Sequence, residues 1–186
     1  MTSPDGEPVP ALQIDDDGDA IGLRVVDARH PGEAFSRSRL IDVDLVRCDL
    51  SGCDFSESAW HRVTLVDCRA SGIDLSQTNL RDVSFRGCRL DDANLRHAQL
   101  QRVRFDDSQL AAAEFAAGRL VEVSFRGSDL AGADFSSAKC TAVDLRNARL
   151  DGLRGVAALA GSTITFDQLF GLAPALAVAL GLTIGE

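Results

Sequence analysis

Cys48, Cys68 and Cys88 stand twenty residues apart, and Ser108 and Ser128 continue the series at the same interval. Thiols on a regular spacing raise metal binding or redox exchange, because a thiolate is both a ligand and a nucleophile. Either chemistry needs company that the sequence does not supply. The three histidines, His30, His61 and His97, are scattered, with none at a metal-ligand interval, and they read as exposed loop or face residues. Asp91–Asp92 and Asp106–Asp107 are doubled carboxylates, which do acid–base work only in a cleft; on an outer wall they are simply solvated. There is no glycine-rich phosphate loop and no nucleophile elbow. The expectation is a protein that is not an enzyme, with no catalytic residues, no metal and no cofactor. Its cysteines, including Cys53 and Cys140, then serve as compact buried apolar groups.

The interval of twenty belongs to a shorter period. From Phe35 to Leu150 every fifth residue is large and apolar, with Ala70 and Cys140 as the smaller departures, and no insertion breaks the frame. Two positions earlier in each unit stands a smaller residue, such as Val43, Cys48, Cys53, Val63, Cys68, Ile73, Val83, Cys88, Ala93 or Val103. The other three positions are mostly Asp, Arg, Asn, Ser and Gly. A period of five fits neither a helix nor a simple strand. It fits a chain that turns a corner after every short side, and repeats of this kind must be found before any element is assigned.

The units CDLSG (48 to 52), ANLRH (93 to 97), SDLAG (128 to 132) and ADFSS (133 to 137) resemble the pentapeptide-repeat family, whose unit is approximately A(D/N)LXX. The resemblance implies an all-β solenoid: a right-handed quadrilateral β-helix of about six coils, four pentapeptides per coil. In that fold the central Leu or Phe and the small residue two before it point inward. Residues twenty apart then share a face. Phe35, Phe55, Phe115 and Phe135 fall on one face and Phe85, Phe105 and Phe125 on the opposite one, which is the sorting that four sides require. Coils stacked at strand spacing, 4.7 to 4.9 Å, give a rod roughly 29 Å tall. No proline occurs between Gly32 and Ala173, as befits a backbone whose donors are committed to pairing between coils.

The ends differ from the body. Residues 1–20, with DDDGD at 15 to 19, read as a mobile acidic N-terminal tail; 21–155 as the β-helix; and 156–186 as a C-terminal cap and dimerisation helix. Ile21, Leu23 and Val25 alternate as a strand opening the first coil. The first ten residues have neither the basic nor the apolar region of a secretory signal, and the cysteine number is odd, so the cytoplasm is the expected location. Near the other end, Thr165 and Gln168 suit a capping box, and Leu169, Leu172, Ala173, Leu176 and Leu180 share one helical face, with Gly181 as a stop. Pro174 would kink this helix or split it in two. No charge occurs from Gln168 to Gly185, so the helix needs cover on both sides. The rod supplies one cover and a second copy of the chain the other, with Leu169, Phe170, Leu172, Leu176 and Leu180 as the dimer contact. A membrane contact is the weaker reading, because the run lies at the lower limit for spanning.

Charge bounds the function. The formal net charge is −9. Residues 1–32 carry −5 of it, 33–150 only −2 and the last 36 residues −2. A body without a net positive field is a poor direct ligand for nucleic acid. By face, the column with Glu33, Asp54, Glu57, Asp74, Glu114 and Asp134, against Arg37 and Arg96, is about −4, and it is the candidate partner-binding surface. The adjacent face, with Arg39, Arg62, Arg81, Arg102, Arg119 and Lys139 against Asp42, Asp82 and Glu122, is about +3. The expected function is a rod-like protein-interaction or structural module with an unassigned partner. The alternative comes from resemblance to the quinolone-resistance type of pentapeptide-repeat protein, in which a dimeric rod mimics DNA and binds DNA gyrase. A lower alternative is a membrane-associated scaffold.

Overall fold

The computed structural model describes residues 11–14 and 18–182. Its chain winds into a β-solenoid of about six coils closed by one C-terminal helix. The strands are β1 (Asp19–Ile21), β2 (Arg24–Val26), β3 (Arg39–Val46), β4 (Ala59–Val66), β5 (Asn79–Arg81), β6 (Ser84–Arg86), β7 (Gln99–Gln101), β8 (Arg104–Asp106), β9 (Arg119–Val121) and β10 (Lys139–Thr141). The named strands all pair in parallel with a register of twenty: Leu40 faces Trp60, Leu45 faces Leu65, Phe85 faces Phe105. One wall is the sheet β1-β3-β4-β5-β7-β9-β10, and the next is built by β2, the second halves of β3 and β4, β6 and β8. The remaining two walls are held by single bridges, one running Arg29, Asp49, Arg69, Arg89, Gln109, Asp129, Arg149 and the other Ala34, Asp54, Asp74, Asn94, Glu114, Asp134, Arg154.

The sides are short because a corner follows each one. Every fifth residue from Gly22 to Gly152 has positive φ, whether it is glycine or, as at Asp42, Arg62, Ala117 and Asn147, a residue with a side chain. That left-handed conformation turns the strand through the corner, and for L-residues it costs roughly 1–2 kcal/mol each. The fold tolerates the cost because corner N–H groups still pair across the coils, as Asp27 N does with Val46 O and Glu57 N with Ser76 O.

Inside, the central residues form columns one coil apart. Phe85, Phe105 and Phe125 stack with ring centroids 4.8 and 5.0 Å apart and planes within 7°. Phe115 and Phe135 stack at 4.8 Å on the opposite side. The two columns meet edge to face across the axis, Phe115 to Phe125 at 5.4 Å and 84°. These rings are fully buried, so the interior is filled rather than hollow.

The five-residue frame starts earlier than Phe35. Ala20, Val25 and His30 occupy central slots of the first coil and are buried. Ile21, expected on the inner side of that strand, is exposed instead, because the inward residues are Ala20, Leu23 and Val25. The expected tail boundary at residue 20 therefore falls within the first coil. Leu12 is also buried, and Ile14 packs against the core. Residues 1–10 and 15–17, which hold most of the expected tail, lie outside the described residues, as do 183–186.

The frame stops at Gly155, where the next Phe or Leu of the Phe115–Phe135 column would stand. A Cβ there would run into the backbone of Phe135 and Ser136, so the chain tucks under Phe135 and leaves the spiral. A 3-10 turn, Val156–Leu159, leads to a bridge between Thr163 and Asp144 and then to the helix α1 (Phe166–Ala179). The capping box forms: Thr165 N donates to Gln168 Oε1 at 2.7 Å and Gln168 N to Thr165 Oγ1 at 3.3 Å. Gln168 Nε2 also donates to the carbonyls of Leu145 and Ala148, both at 2.7 Å, which satisfies acceptors on the last coil and seats the helix there. Pro174 lies inside a single helix rather than dividing it.

Candidate partner-binding faces

The thiol series is a vertical column, and it does more than fill space. Cys48 N donates to Cys68 Sγ at 3.4 Å, Cys88 N to Ser108 Oγ at 3.1 Å, and Ser108 N to Ser128 Oγ at 3.0 Å. Each side chain in turn donates to a carbonyl 23 residues back, Cys68 Sγ to Leu45 O at 3.3 Å and Ser128 Oγ to Phe105 O at 2.9 Å. The slot therefore takes a small side chain that both accepts and donates, which is why both Cys and Ser occupy it. The neighbouring thiols Cys48 and Cys88, and then burial, push the Cys68 thiol up; burial pushes Cys140 up to about 11, and burial foremost, with the charges of Glu33 and Asp49, does the same at Cys53. These three are thiols held neutral, whereas the hydrogen bond with Cys68 pulls the Cys48 thiol down to about 7 and lowers that of Cys88, both of them buried side chains. Among the described residues no group of His, Cys, Asp and Glu is arranged to hold a metal ion.

His30 departs from the expected exposure. It is buried in the central slot of the first coil, Nε2 accepting from Leu12 N at 3.0 Å and Nδ1 lying 3.0 Å from Glu33 Oε2. The Leu12 N–H requires an unprotonated Nε2, so the proton of the neutral ring sits on Nδ1 and is donated to Glu33. His61 and His97 are on the outer wall as expected.

The structure sorts the six candidate acidic residues into three kinds. Asp54, Asp74, Glu114 and Asp134 occupy one bridge ladder, with Asn94 between them. Glu33 stands off that ladder, in the slot that is inward elsewhere, and is committed to His30. Glu57 is at the following corner, 3.6 Å from Arg37. Three ladder carboxylates are locked in Asx turns: Asp54 Oδ1 accepts from Ser56 N at 2.8 Å, Asp74 Oδ1 from Ser76 N at 2.8 Å and Asp134 Oδ1 from Ser136 N at 2.7 Å. Hydrogen bonding from Ser136, with Arg154 adding to it, holds the Asp134 carboxyl below the ordinary range. Arg96 binds Glu114 at 3.1 Å and Arg154 approaches Asp134 at 3.6 Å, so the upper pair, Asp54 and Asp74, is the less compensated. The flanking outer positions are Ser36, Ser56, Ser76, Arg96, Ala116 and Ser136, and Arg96 is the one long side chain among them.

The basic face is more self-contained than its composition implies. Arg39 pairs with Asp19, Arg62 with Asp42 at 2.5 Å, and Arg102 with Asp82 at 2.5 Å, each one coil apart. Arg47 and Asp27 make the same bidentate pair on another corner, 2.7 and 2.8 Å. These pairs fasten successive coils through their corners.

The candidate dimer residues also divide. Leu172 is buried against the rod and Leu176 packs partly against it. Phe170 and Leu180 are exposed by 67% and 75%, and Leu169 by 40%. Phe166, not among the sequence candidates, is 72% exposed and meets Phe170 edge to face at 5.1 Å. No helix among the described residues is long and apolar enough to cross a membrane.

A β-solenoid of five-residue sides, with stacked Phe and Leu columns inside and a polar outer wall, defines a class of repeat protein. The Pentapeptide repeat region model matches residues 38–115 and 82–154, and the chain belongs to that family. Among solved structures, a trypsin-treated variant of QnrB1, described as a plasmid-mediated fluoroquinolone resistance protein, is 22% identical, with 96% of this chain and 99% of that chain covered and a TM-score of 0.49. HetL, a pentapeptide repeat protein involved in heterocyst differentiation regulation in Nostoc sp. strain PCC 7120, is 17% identical over 76% of this chain and 87% of its own, with a TM-score of 0.38. A pentapeptide repeat protein from the Arabidopsis thaliana thylakoid lumen is 21% identical over 56% and 73%, with a TM-score of 0.35. None of the curated proteins matches the chain.

Proposed function

We propose that the chain is a non-catalytic rod that binds a protein partner along its acidic ladder and works as a homodimer joined through α1. One observation carries the first part. Asp54, Asp74, Glu114 and Asp134 stand on one line, three of them fixed by their own turns, and mostly small side chains flank them. Carboxylates ordered in advance lose little freedom on binding. Their partner is a basic strand or groove able to meet four charges over five coils stacked about 4.8 Å apart, with a gap at Asn94.

The test is retention of partners from native lysate by the full chain and by the variant Asp54→Asn, Asp74→Asn, Glu114→Gln, Asp134→Asn. The amides preserve the turns, so only charge changes. A protein held by the parent chain and lost by the variant supports the reading; equal retention rejects it.

The same ladder favours DNA gyrase as an alternative partner, since a stacked line of anions copies one feature of a phosphate backbone. The copy is sparse. Duplex DNA carries one charge per about 1.7 Å of axis, against at most one per coil of about 4.8 Å here with none at Asn94, and two of the four carboxylates have arginine neighbours. Supercoiling by purified gyrase decides the matter. Inhibition or quinolone protection at micromolar protein supports mimicry, and neither effect rejects it.

A further inference from the structure

His30 is the titratable member of an inner column that continues through Leu50, Ala70, Leu90 and Leu110, and it is buried like them. Its ring stands between two partners of opposite demand. Nε2 accepts from the main-chain N–H of Leu12 at 3.0 Å, which requires a bare nitrogen, whereas Glu33 Oε2, 3.0 Å from Nδ1, favours a ring that carries charge. The Leu12 side chain is buried in the core and Ile14 packs partly against it. Asp44, Asp49 and Asp54 each donate a main-chain N–H to the coil before them, but among the described residues no coil precedes Arg24, Arg29 and Ala34. Residues 11–14 are thus held at the open end of the spiral through His30.

We propose that this contact is a proton-operated strap: protonation of His30 at Nε2 expels Leu12 and frees residues 11–14 from the start of the spiral. Nδ1 already carries a proton, so an incoming one goes to Nε2. Nε2 then becomes a donor facing the donor of Leu12, and a desolvated cation lies against that residue. Both are unfavourable, and both are relieved when Leu12 leaves and water reaches the ring. Glu33, half exposed, keeps Nδ1 and stabilises the imidazolium of the opened state. The contact is therefore complete while the ring is neutral and is lost as pH falls through the range in which imidazoles take up a proton, about 8 to 5. Among the described residues, the other titratable or charged groups around the ring are the thiol of Cys53, which donates to His30 O at 2.7 Å, the thiol of Cys48, and Arg29 and Asp49, paired on the outer wall. Residues 11–14 carry no charge.

The experiment follows hydrogen exchange of the Leu12 amide in the full chain from about pH 8 to about pH 5, each rate divided by that of an unstructured amide at the same pH, together with the nitrogen NMR shifts of the His30 ring. Protection of Leu12 falls about tenfold or more as the ring takes up its proton, while the Phe105 amide keeps its own. His30→Gln offers an amide oxygen to the Leu12 N–H and cannot take up the proton, so its protection is the same at both ends of the range. Glu33→Gln still accepts from Nδ1 but removes the charge that favours the imidazolium, so release moves to lower pH. Cys48→Ser, a change its column accommodates at Ser108 and Ser128, leaves the profile of the parent chain. Four results overturn the proposal: Leu12 protection that holds to about pH 5, a loss that survives His30→Gln, a loss that Cys48→Ser abolishes, or an unmoved midpoint in Glu33→Gln.

Discussion

The main-chain N–H of Leu12 donates to Nε2 of His30 across 3.0 Å, and both residues are buried at the first coil. This hydrogen bond ties residues 11–14 to the start of the spiral, where no earlier coil among the described residues pairs with it. Glu33 holds the other ring nitrogen and so fixes the tautomer. Replacing His30 by Leu, the residue found at most later positions of the same column, keeps the slot filled but leaves the Leu12 N–H without its acceptor. The expected result is loss of exchange protection at the Leu12 amide, with a stability loss of about 1–3 kcal/mol. Hydrogen exchange checks it, and an amide still protected in His30→Leu would show that the bond is not the anchor.

The aromatic columns make a sharp contrast with the wall beside them. Phe105 stacks on Phe85 and Phe125, while Asp106, the next residue, points outward. Phe105→Ala is expected to cost about 3–5 kcal/mol and Asp106→Ala within about 0.5 kcal/mol. Chemical denaturation of the two variants gives the comparison.

Corners offer changes in both directions. Ala112 has a φ of 57° in a corner column that otherwise holds Gly52, Gly72, Asp92 and Gly132. Ala112→Gly relieves the left-handed conformation, partly offset by the freer unfolded chain, for a gain of about 0.5–1 kcal/mol. Gly87 in the next corner is different: a Cβ added there would stand 2.6 Å from Asp67 Oδ1, so Gly87→Ala lowers the melting temperature. Thermal unfolding of both reads the signs directly.

Acid should loosen the coil fasteners. Hydrogen bonds from Arg47, Arg62 and Arg102 hold the carboxyls of Asp27, Asp42 and Asp82 below the ordinary carboxylate range. A carboxyl with a lowered folded pKa contributes its full stabilisation above the unfolded value and loses it as pH falls through the folded value. The melting temperature is therefore flat, as far as these pairs decide it, down to the ordinary carboxylate range and declines below it. Arg102→Met reduces the acid-side decline, and an unchanged profile would remove Asp82 from the account.

For the proposed dimer, the structure redirects the choice of variant. Leu176→Asp disturbs the seat of α1 on the rod, whereas Phe170→Asp alters an exposed ring. Phe170→Asp and Leu180→Asp are expected to give monomer with an intact melting curve in sedimentation velocity. A persistent dimer in both would exclude this face.

The spiral was legible because its inward residues repeat every five positions without interruption, and a hydrophobic period is a direct imprint of geometry. The capping box was legible for a similar reason, since Thr165 and Gln168 are near neighbours in the chain. What escaped depends on contacts or conformations that residue type does not announce. His30 reads in the sequence as an exposed loop or face residue ahead of the frame, yet it sits in register with Leu50 because Leu12 and Glu33 satisfy its nitrogens. The left-handed corners were invisible because glycine marks only some of them.

The division has a physical basis. Side-chain period alone determined the inner columns, because burying a face is a collective property of the pattern; four walls, and with them the register of twenty, followed from the family resemblance and agreed with the sorting of Phe onto two opposite faces. Which charges remain available to a partner was decided only in three dimensions: Arg102 is closed on Asp82, and Glu33 on His30, by geometry that brings together particular atoms. The end of the array was likewise decided by space, at Gly155, where the backbone of Phe135 leaves no room for a side chain.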